Sequence, residues 1–263
     1  MNRLLFIKLG GSLITNKQIA SSFYHEAVAA VGLVLRDVVA ADPELRILVG
    51  HGSGSFGHVV ARQYGTINGV HTPADWRGFA HVATAAADLN ALVTSTLRAA
   101  DLPIWRIQPS ASAYSRDGEL MSMAVAPIES ALANGLMPLV YGDVSLDETR
   151  GGTIISTETV FFYLAQHLSV DQILLLGDVE GVYDSQGVTI PLITPMLLPT
   201  IESALGGSAG TDVTGGMASK VRHMLRLVTA VPSLSIRIMG GDPDLVRAAL
   251  SGQAQPGTLI KAD

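Results

Sequence analysis

The chain has 263 residues, 48% of them hydrophobic and only 15% charged, and it contains no cysteine. This composition argues against disorder, and the lack of cysteine excludes disulfides, thiolate nucleophiles and cysteine metal sites. The net charge of −6 gives no electrostatic footprint for nucleic acid. The apolar run 27–41 contains Arg36 and Asp37 and is shorter than the roughly 18 residues of a membrane span. The start lacks a secretory apolar region, so we expect a soluble, cytoplasmic protein.

Short apolar runs alternate along the chain with longer segments of helical periodicity. The predicted buried strands are Leu4–Leu9, Arg46–Gly50, Ile104–Ile107, Met137–Tyr141, Gln172–Leu176 and Ser235–Met239. The predicted helices are Ser22–Ala41, Ala74–Ala100, Thr157–Leu168, Gly216–Ala230 and Pro243–Leu250, with Ser22 and Asp242 as N-caps. Repeated strand–helix–strand units predict an α/β fold whose mostly parallel sheet is covered by helices on both faces. We expect a single domain over residues 1–263.

Glycine-rich turns follow several of the predicted strands and fall into two groups, within 10–58 and 151–217. Ligands of open α/β sheets bind outside the carboxyl ends of the strands. Two groups of turns therefore predict two ligands.

The first turn is Lys8-Leu9-Gly10-Gly11-Ser12. Two glycines allow backbone N–H groups to approach an anion, and Lys8 and Ser12 add a charge and a hydroxyl. The alternative is a simple Gly-Gly turn beside a solvated lysine. Lys17 lies just beyond and is either part of the same site or an exposed loop residue.

The second turn, 51–58, reads His-Gly-Ser-Gly-Ser-Phe-Gly-His and precedes a helical segment. Three glycines and two serines at a helix N-terminus are typical of a phosphate cradle. His58 lies on the helical side and is the better candidate for donating a hydrogen bond or a positive charge to a phosphate. His51 is predicted to support the turn.

Two later turns have the composition of a nucleotide site. Gly177–Asp184 suits a loop around a base and ribose, with Asp178 near phosphates or a metal, or else an ordinary acidic hairpin. In 212–220, Gly215 and Gly216 open a helix with Lys220 one turn inside, an arrangement that binds nucleotide phosphates. The alternative is a glycine-rich loop with a surface lysine.

The few lysines fall on these turns. Only four of the 17 basic residues are lysine, and Lys8, Lys17 and Lys220 lie in or beside glycine-rich turns, whereas Lys261 does not. One explanation is a genomic bias towards arginine, and the other is that a compact point charge is required where lysine is kept. Glu158 begins a predicted helix, as the helix dipole favours, and its carboxylate could also bridge two of these lysines. Such a set, without a hydrolytic triad, suits phosphoryl transfer, which needs positioning and charge stabilisation.

Four motifs in this order resemble the amino-acid kinase superfamily. They are the sequences that start at Lys8, His51, Gly177 and Asp212, and the resemblance runs from Lys8 to about Lys220. The ending Ser55-Phe56-Gly57-His58 is similar to the isopentenyl phosphate kinases, although fosfomycin kinases share the histidine. The resemblance implies an αβα sandwich, a homodimer, ATP as co-substrate with Mg²⁺, and isopentenyl phosphate or a similar small phosphate as acceptor.

The resemblance also implies a role for each matching residue. The catalytic set would be Lys8, Lys17, His58, Glu158 and Lys220. The acceptor site, in the half formed by about 1–150, would include Gly52, Ser53, Gly54, Ser55, Gly57, His58 and, from the other half, Thr157. ATP, over about 151–263, would contact Lys8, Gly10, Gly11, Ser12, Asp178, Gly181, Tyr183, Gly215, Met217 and Lys220. Mg²⁺ would bridge ATP phosphate oxygens with few protein ligands.

Two positions depart from the family pattern. Ser156-Thr157-Glu158 stands where Ser-Gly-Asp is typical, and Gly52-Ser53-Gly54 stands where the middle residue is usually glycine or alanine. Serine is small, so the cradle should survive. Glu158 is one methylene longer than the aspartate that organises the lysines, and Thr157 restricts a backbone expected to approach the substrate.

An isoprenoid acceptor also needs an apolar surface. Trp76, Phe79, Val82 and Ala83 follow the second turn at helical spacing, so that one stripe could face the acceptor tail. Plain core packing is the alternative for each of them. We therefore expect a kinase for isopentenyl phosphate, with a fosfomycin-type kinase or a nucleotide-binding sensor without turnover as alternatives.

Overall fold

A computed structural model describes residues 3–16, 18–205 and 216–263 of the chain, without the side chains of 202–205 and 216. Lys17 and Gly215 lie outside the described residues. The central sheet has eight strands in the order β10-β12-β11-β9-β1-β2-β6-β3. They are β1 Leu4–Leu9, β2 Arg46–His51, β3 Ile104–Arg106, β6 Met137–Tyr141, β9 Gln172–Gly177, β10 Leu192–Ile193, β11 Ser235–Gly240 and β12 Thr258–Lys261. From β11 to β3 every neighbouring pair is parallel, and β12 pairs antiparallel with β11.

Helices cover both faces of this sheet. They are α1 Gly11–Ile14, α2 His25–Ala41, α3 Gly54–Tyr64, α4 Pro73–Ala99, α5 Ala126–Ala133, α6 Thr157–Ala165, α7 Leu198–Leu205, α8 Gly216–Ala230 and α9 Pro243–Leu250. Alternate strand residues face opposite layers. In β1, Phe6 packs in the core with α5, α6 and α8, whereas Leu5 and Ile7 pack in the core with α2, α4 and α9. The expected αβα sandwich is therefore confirmed.

A second sheet, of four short strands, lies beside the first. Its order is β5-β4-β7-β8, formed by β4 Tyr114–Arg116, β5 Glu119–Ser122, β7 Asp143–Asp147 and β8 Gly151–Ile155. The last strand leads directly into α6, so this small sheet fixes the point at which α6 begins.

The predicted elements agree with the structure except near several ends. The strands match to within one residue, and α8 and α9 have the predicted bounds. The cap at Ser22 is wrong: α2 begins at His25, because the Ser22 hydroxyl instead accepts a bond from Asn16 N–H at 2.7 Å. α6 ends at Ala165 rather than Leu168. Asp242 does cap α9, accepting from Asp244 N–H and Leu245 N–H.

Candidate active site

The predicted turns that follow β1, β2 and β9 meet at the carboxyl edge of the central sheet, whereas residues 212–215 of the fourth turn lie outside the described part of the chain. Each turn continues the hydrogen bonding of the strands that precede it. The N–H of Gly10 donates to Leu176 O at 2.7 Å, and that of Gly52 donates to Leu9 O at 3.0 Å. Because the strands are parallel, turns far apart in sequence become neighbours.

The first two turns touch backbone to backbone. A Cβ on Gly11 would lie 2.9 Å from Gly54 N, and one on Gly52 would lie 3.0 Å from Gly11 N. Gly54 also has a positive φ of +50° and packs on Thr15. A side chain at any of these positions would separate the turns, which explains why they are glycine.

Thr15 links the two turns through its hydroxyl. Its Oγ1 donates to Gly11 O at 2.7 Å and accepts from Ser55 N–H at 3.0 Å, inside the first turn of α3. Ser53, the N-cap position of α3, makes no side-chain cap, and its Oγ donates instead to Gly142 O at 3.4 Å. The N-terminus of α3 is thereby fixed beside Gly11 and Ser12.

Lys8 and Glu158 form an ion pair across 150 residues of sequence. Lys8 Nζ lies 2.5 Å from Glu158 Oε1, and the two side chains are 13% and 21% exposed. Glu158 occupies the first turn of α6, which Ser156 caps by accepting from Thr159 N–H. Burial alone would raise the pKa of Glu158, but the ion pair and hydrogen bond with Lys8, its own N–H and the charge of Lys220 together lower it to about 2. The carboxylate thus pairs with Lys8, and the charge of Lys220 also acts on it. A bridge by Glu158 between two lysines stays a prediction.

Thr157 is directed inward. It is 1% exposed, its Oγ1 donates to His51 O at 2.6 Å, and a Cβ on Gly50 would lie 2.7 Å from its methyl group. The threonine is therefore accommodated by the glycine in β2. Its hydroxyl holds the end of β2, while its role toward a substrate stays a prediction.

The Lys8–Glu158 pair predicts a pH-dependent stability. The pKa of Glu158 is lower in the folded protein, so its stabilising contribution is complete above the ordinary glutamate pKa of about 4.5 and is lost as pH falls toward 2. We expect the difference in unfolding free energy between the native protein and Glu158→Gln to shrink between pH 5 and pH 3. Urea unfolding at each pH measures it, with Glu129→Gln, on the exposed part of α5, controlling for the lost charge. A difference that is constant with pH would contradict the pairing.

The residues predicted to bind the nucleotide lie on neighbouring turns and on α8. Ser12 Oγ donates to Asp178 Oδ1 at 2.7 Å, joining the first and third turns. Gly181 packs on Thr189 and Thr258, and the exposed Tyr183 accepts from Glu180 N–H through its hydroxyl. On α8, Met217 packs against the core and Lys220 is half-buried. These ATP contacts remain predictions.

Most of the residues predicted to bind the acceptor lie at the start of α3 and just before it. Gly54, Ser55 and Gly57 are buried at its start, whereas His58, one turn further, is exposed. Ser55 Oγ lies 3.3 Å from Ser22 Oγ, which ties α3 to the segment before α2. His58 therefore lies at the same end of α3 as the glycine-rich turn predicted to bind the acceptor phosphate.

An apolar wall, formed by Trp76 and Phe79, follows on α4. Their ring centroids are 5.5 Å apart, and a Cβ on Gly152 of β8 would lie 2.8 Å from the Phe79 ring. Trp76 is 41% exposed and Phe79 is half-buried, whereas Val82 is 3% exposed. Val82 therefore belongs to the packing beneath the wall, and its contact with a substrate stays a prediction.

Two polar residues of this region were not predicted. Thr15 joins the glycine turns, and Asn90, on α4, bonds the ring of His51. Asn90 carries a signal in the sequence, since it stands among Ala86, Leu89, Val93 and Leu97 on the buried face of α4. A polar side chain at such a position needs a buried partner. For Thr15, no pattern in the sequence indicates its contact with a turn 40 residues away.

Within the described ranges, no helix is both long and apolar enough to cross a bilayer. No cluster of three or more histidine or acidic side chains that could hold a metal occurs among the same residues.

Comparison with known proteins agrees with this arrangement. The sequence profile of the amino acid kinase family matches residues 3–239. The isopentenyl phosphate kinase of Haloferax volcanii is 36% identical over 99% of both chains, and that of Methanothermobacter thermautotrophicus is 32% identical over 98% of both. A crystal structure of an isopentenyl phosphate kinase superposes with a TM-score of 0.83 at 25% identity, covering 98% of this chain and 100% of the other. The chain belongs to the amino acid kinase family and, within it, to the isopentenyl phosphate kinases.

Proposed function

We propose that this chain transfers the γ-phosphoryl group of ATP to isopentenyl phosphate, giving isopentenyl diphosphate and ADP. The observation that carries the proposal is the Lys8–Glu158 pair, at 2.5 Å, between the glycine turns of residues 10–58 and those after β9. Similarity over the whole length to isopentenyl phosphate kinases supports the identity of the acceptor.

The reaction needs positioned charge more than covalent chemistry. An acceptor phosphate oxygen attacks the γ-phosphorus in line, forming a P–O bond while the bond to the oxygen bridging to the β-phosphorus breaks. Lys8 and Lys220, with Lys17 outside the described residues, would neutralise the γ-phosphoryl oxygens. The N–H groups of Gly11 and Ser12, at the start of α1, would donate to the same oxygens. Because the acceptor is already an anion, no strong general base is required.

The two substrates would occupy opposite parts of the same edge. The acceptor phosphate would lie against Gly52–Ser55, Gly57 and His58, in the half formed by about 1–150, with Thr157 behind them. ATP would lie over about 151–263, along Asp178, Gly181, Tyr183, Met217 and Lys220, with Gly215 outside the described residues. The Ser12–Asp178 bond supports this division, since it joins the phosphate turn to the nucleotide turn.

Magnesium fits this arrangement without a protein cage. Nucleotide phosphates commonly supply the oxygens that bind Mg²⁺. Asp178, which accepts a hydrogen bond from Ser12, would offer a carboxylate oxygen as a further ligand. When bound, Mg²⁺ would neutralise phosphate charge. The protein itself would contribute the charges of Lys8 and Lys220 and the N–H groups of Gly11 and Ser12.

The apolar wall of Trp76 and Phe79 favours an isoprenoid tail over a small phosphonate. The exposed indole offers apolar surface beside the acceptor half, and burying such surface gives about 25 cal/mol per Å². A fosfomycin-type acceptor has little apolar area to place there.

A homodimer is also part of the proposal. The strand β3 lies at one edge of the central sheet and carries the exposed Trp105, and the exposed Leu136 directly precedes its neighbour β6. A sheet edge with apolar side chains is suited to a second copy of the chain. Light scattering tests it: a monomer at micromolar concentration would reject the dimer without affecting the assigned reaction.

One coupled assay separates the candidate functions. ATP consumption is followed with isopentenyl phosphate, with fosfomycin and without an acceptor. We expect turnover only with isopentenyl phosphate. Mass spectrometry should then identify isopentenyl diphosphate as the product. Turnover with fosfomycin alone would indicate the phosphonate kinase. Binding of ATP without turnover on either acceptor would indicate the sensor.

A further inference from the structure

His51 is a buried histidine directly beneath the acceptor turn. It is the last residue of β2, and its side chain is 1% exposed. Its Nδ1 lies 3.0 Å from Gly52 O, and its Nε2 lies 3.0 Å from the side-chain nitrogen of Asn90. The ring stacks on Tyr141, with centroids 5.5 Å apart and planes 6° from parallel.

These contacts select one form of the imidazole. A carbonyl oxygen only accepts, so Nδ1 carries the proton. The amide nitrogen of Asn90 only donates, so Nε2 presents its lone pair. Burial, opposed by the bond to the Gly52 carbonyl and reinforced by the charge of Lys8, lowers the pKa of His51 to about 4. The ring is therefore neutral and is held as the Nδ1–H tautomer at neutral pH.

The bond to Gly52 sets the direction of the next amide. In a trans peptide the carbonyl of one residue and the N–H of the following residue point in opposite directions. Because the Gly52 carbonyl points to His51, the N–H of Ser53 points away from the ring. The Gly52 Cα borders Gly11 and Lys8, since a Cβ there would lie 3.0 Å from Gly11 N and 3.9 Å from Lys8 Cε. The side of the Gly52–Ser53 peptide that faces away from the His51 ring therefore belongs to the predicted phosphate site.

A second carbonyl of the turn is held in the same way. His51 O accepts from Thr157 Oγ1 at 2.6 Å and from Gly142 N–H at 3.2 Å. The carbonyl oxygens of His51 and Gly52 are thus bonded to groups of the protein and do not face the predicted phosphate site. Carbonyl oxygens would repel an anion, whereas amide N–H groups attract it.

We propose that His51 is a positioning residue for the acceptor: with its tautomer fixed by Asn90, it orients the Gly52–Ser53 peptide so that the N–H of Ser53 faces the acceptor phosphate. The proposal rests on the proposed function, because it needs an acceptor phosphate at this turn. Neither His51 nor Asn90 touches the reacting atoms.

The tautomer is the first test, and it does not depend on activity. Nitrogen-15 NMR of the unliganded native protein should show a protonated Nδ1 and an unprotonated Nε2 for His51. In Asn90→Asp, a carboxylate replaces the donor, so Nε2 should become protonated. A native His51 with its proton on Nε2 overturns the proposal.

Kinetics are the second test. We expect His51→Leu to raise the KM for isopentenyl phosphate about tenfold, because a buried carbonyl loses its partner and the turn reorients. The KM for ATP should change less than twofold. His51→Asn, which places an amide donor where Nδ1 was, should recover most of the loss. Asn90→Leu should give an intermediate rise.

Thr96→Val is the matched control for these variants. Thr96 is also buried on α4, six residues beyond Asn90, and its hydroxyl donates within its own helix, to Leu92 O. We expect its KM values to be unchanged. Equal rises of both KM values in His51→Leu, or a rise of the acceptor KM in Thr96→Val as large as that in Asn90→Leu, would indicate general destabilisation and overturn the proposal.

Failure of the proposed function has a different signature. In that case the native protein neither phosphorylates isopentenyl phosphate nor binds it in calorimetry, whatever the state of His51. If native turnover is normal and Asn90→Leu leaves the acceptor KM unchanged, the function stands and the positioning role falls.

Discussion

Replacing Lys8 by methionine is expected to lower kcat by about a thousandfold. The Lys8 ammonium is the charge that Glu158 holds at the carboxyl edge of β1, beside the amides of Gly11 and Ser12. Methionine has a similar length without the charge, so under the proposed function the γ-phosphoryl group would lose one of its predicted cations in the transition state. Steady-state kinetics with saturating ATP and isopentenyl phosphate measure the loss.

The same substitution should reduce stability, and a second change should restore it. Lys8→Met leaves the Glu158 carboxylate half-buried without its partner, which typically costs about 3 kcal/mol. Adding Glu158→Gln removes that charge. We expect the double variant to regain most of the lost Tm while kcat stays low. Recovery of activity together with stability would show that Lys8 acts on folding alone.

Lys261→Met is the matched control for Lys8. Lys261 is exposed at the end of β12, and it is the lysine that no phosphate motif contains. Its replacement should leave kcat within twofold. A Lys8→Met variant with more than a tenth of native kcat would remove Lys8 from the catalytic set.

The second large effect is expected at His58. We expect His58→Gln to lower kcat for isopentenyl phosphate about a hundredfold, because glutamine keeps a donor and loses the ring that orients and neutralises the acceptor phosphate. His58 is exposed near the start of α3, whereas the predicted ATP contacts lie on other turns. The Kd for ATP, measured by calorimetry, should therefore stay within twofold.

His167→Gln controls for loss of a histidine. This exposed residue lies just beyond the end of α6 that is remote from Glu158, where its Nδ1 contacts Tyr163 O. Its kinetics should be native. Near-normal turnover in His58→Gln would assign acceptor binding to the amides of the turn instead.

The sequence predicts six of the eight strands of the central sheet, because most of these six are short apolar runs that end at or just before glycine. The edge strand β10 and its neighbour β12 were not predicted. Leu4–Leu9 and Met137–Tyr141 are buried along nearly their whole length, so periodicity alone identifies them. The second sheet has no such pattern. β7, for example, begins and ends with aspartate, and β4 has three residues of which two are exposed. Their pairing depends on tertiary contacts that no local pattern expresses.

The candidate site shows the same limit. Glycine-rich turns after strands predict which segments meet, and the lysines in or beside these turns predict where phosphates bind. The pairing of Lys8 with Glu158 was proposed from the sequence only as a bridge between two lysines. Asn90 depends on the packing of α4 against β2, and Thr15 on the packing of α1 against α3, because each bonds a group at least 39 residues away.

The contact between Gly11 and the second turn has a consequence for how such a protein can acquire new acceptors. Side chains are excluded where the two turns touch, so these turns have little freedom to vary. The wall of Trp76 and Phe79 is built on a separate helix, which faces Gly152 of the small sheet. Under the proposed function, recognition of the acceptor's hydrocarbon would therefore diverge through substitutions in α4 and β8, while the predicted phosphoryl-transfer residues are left intact.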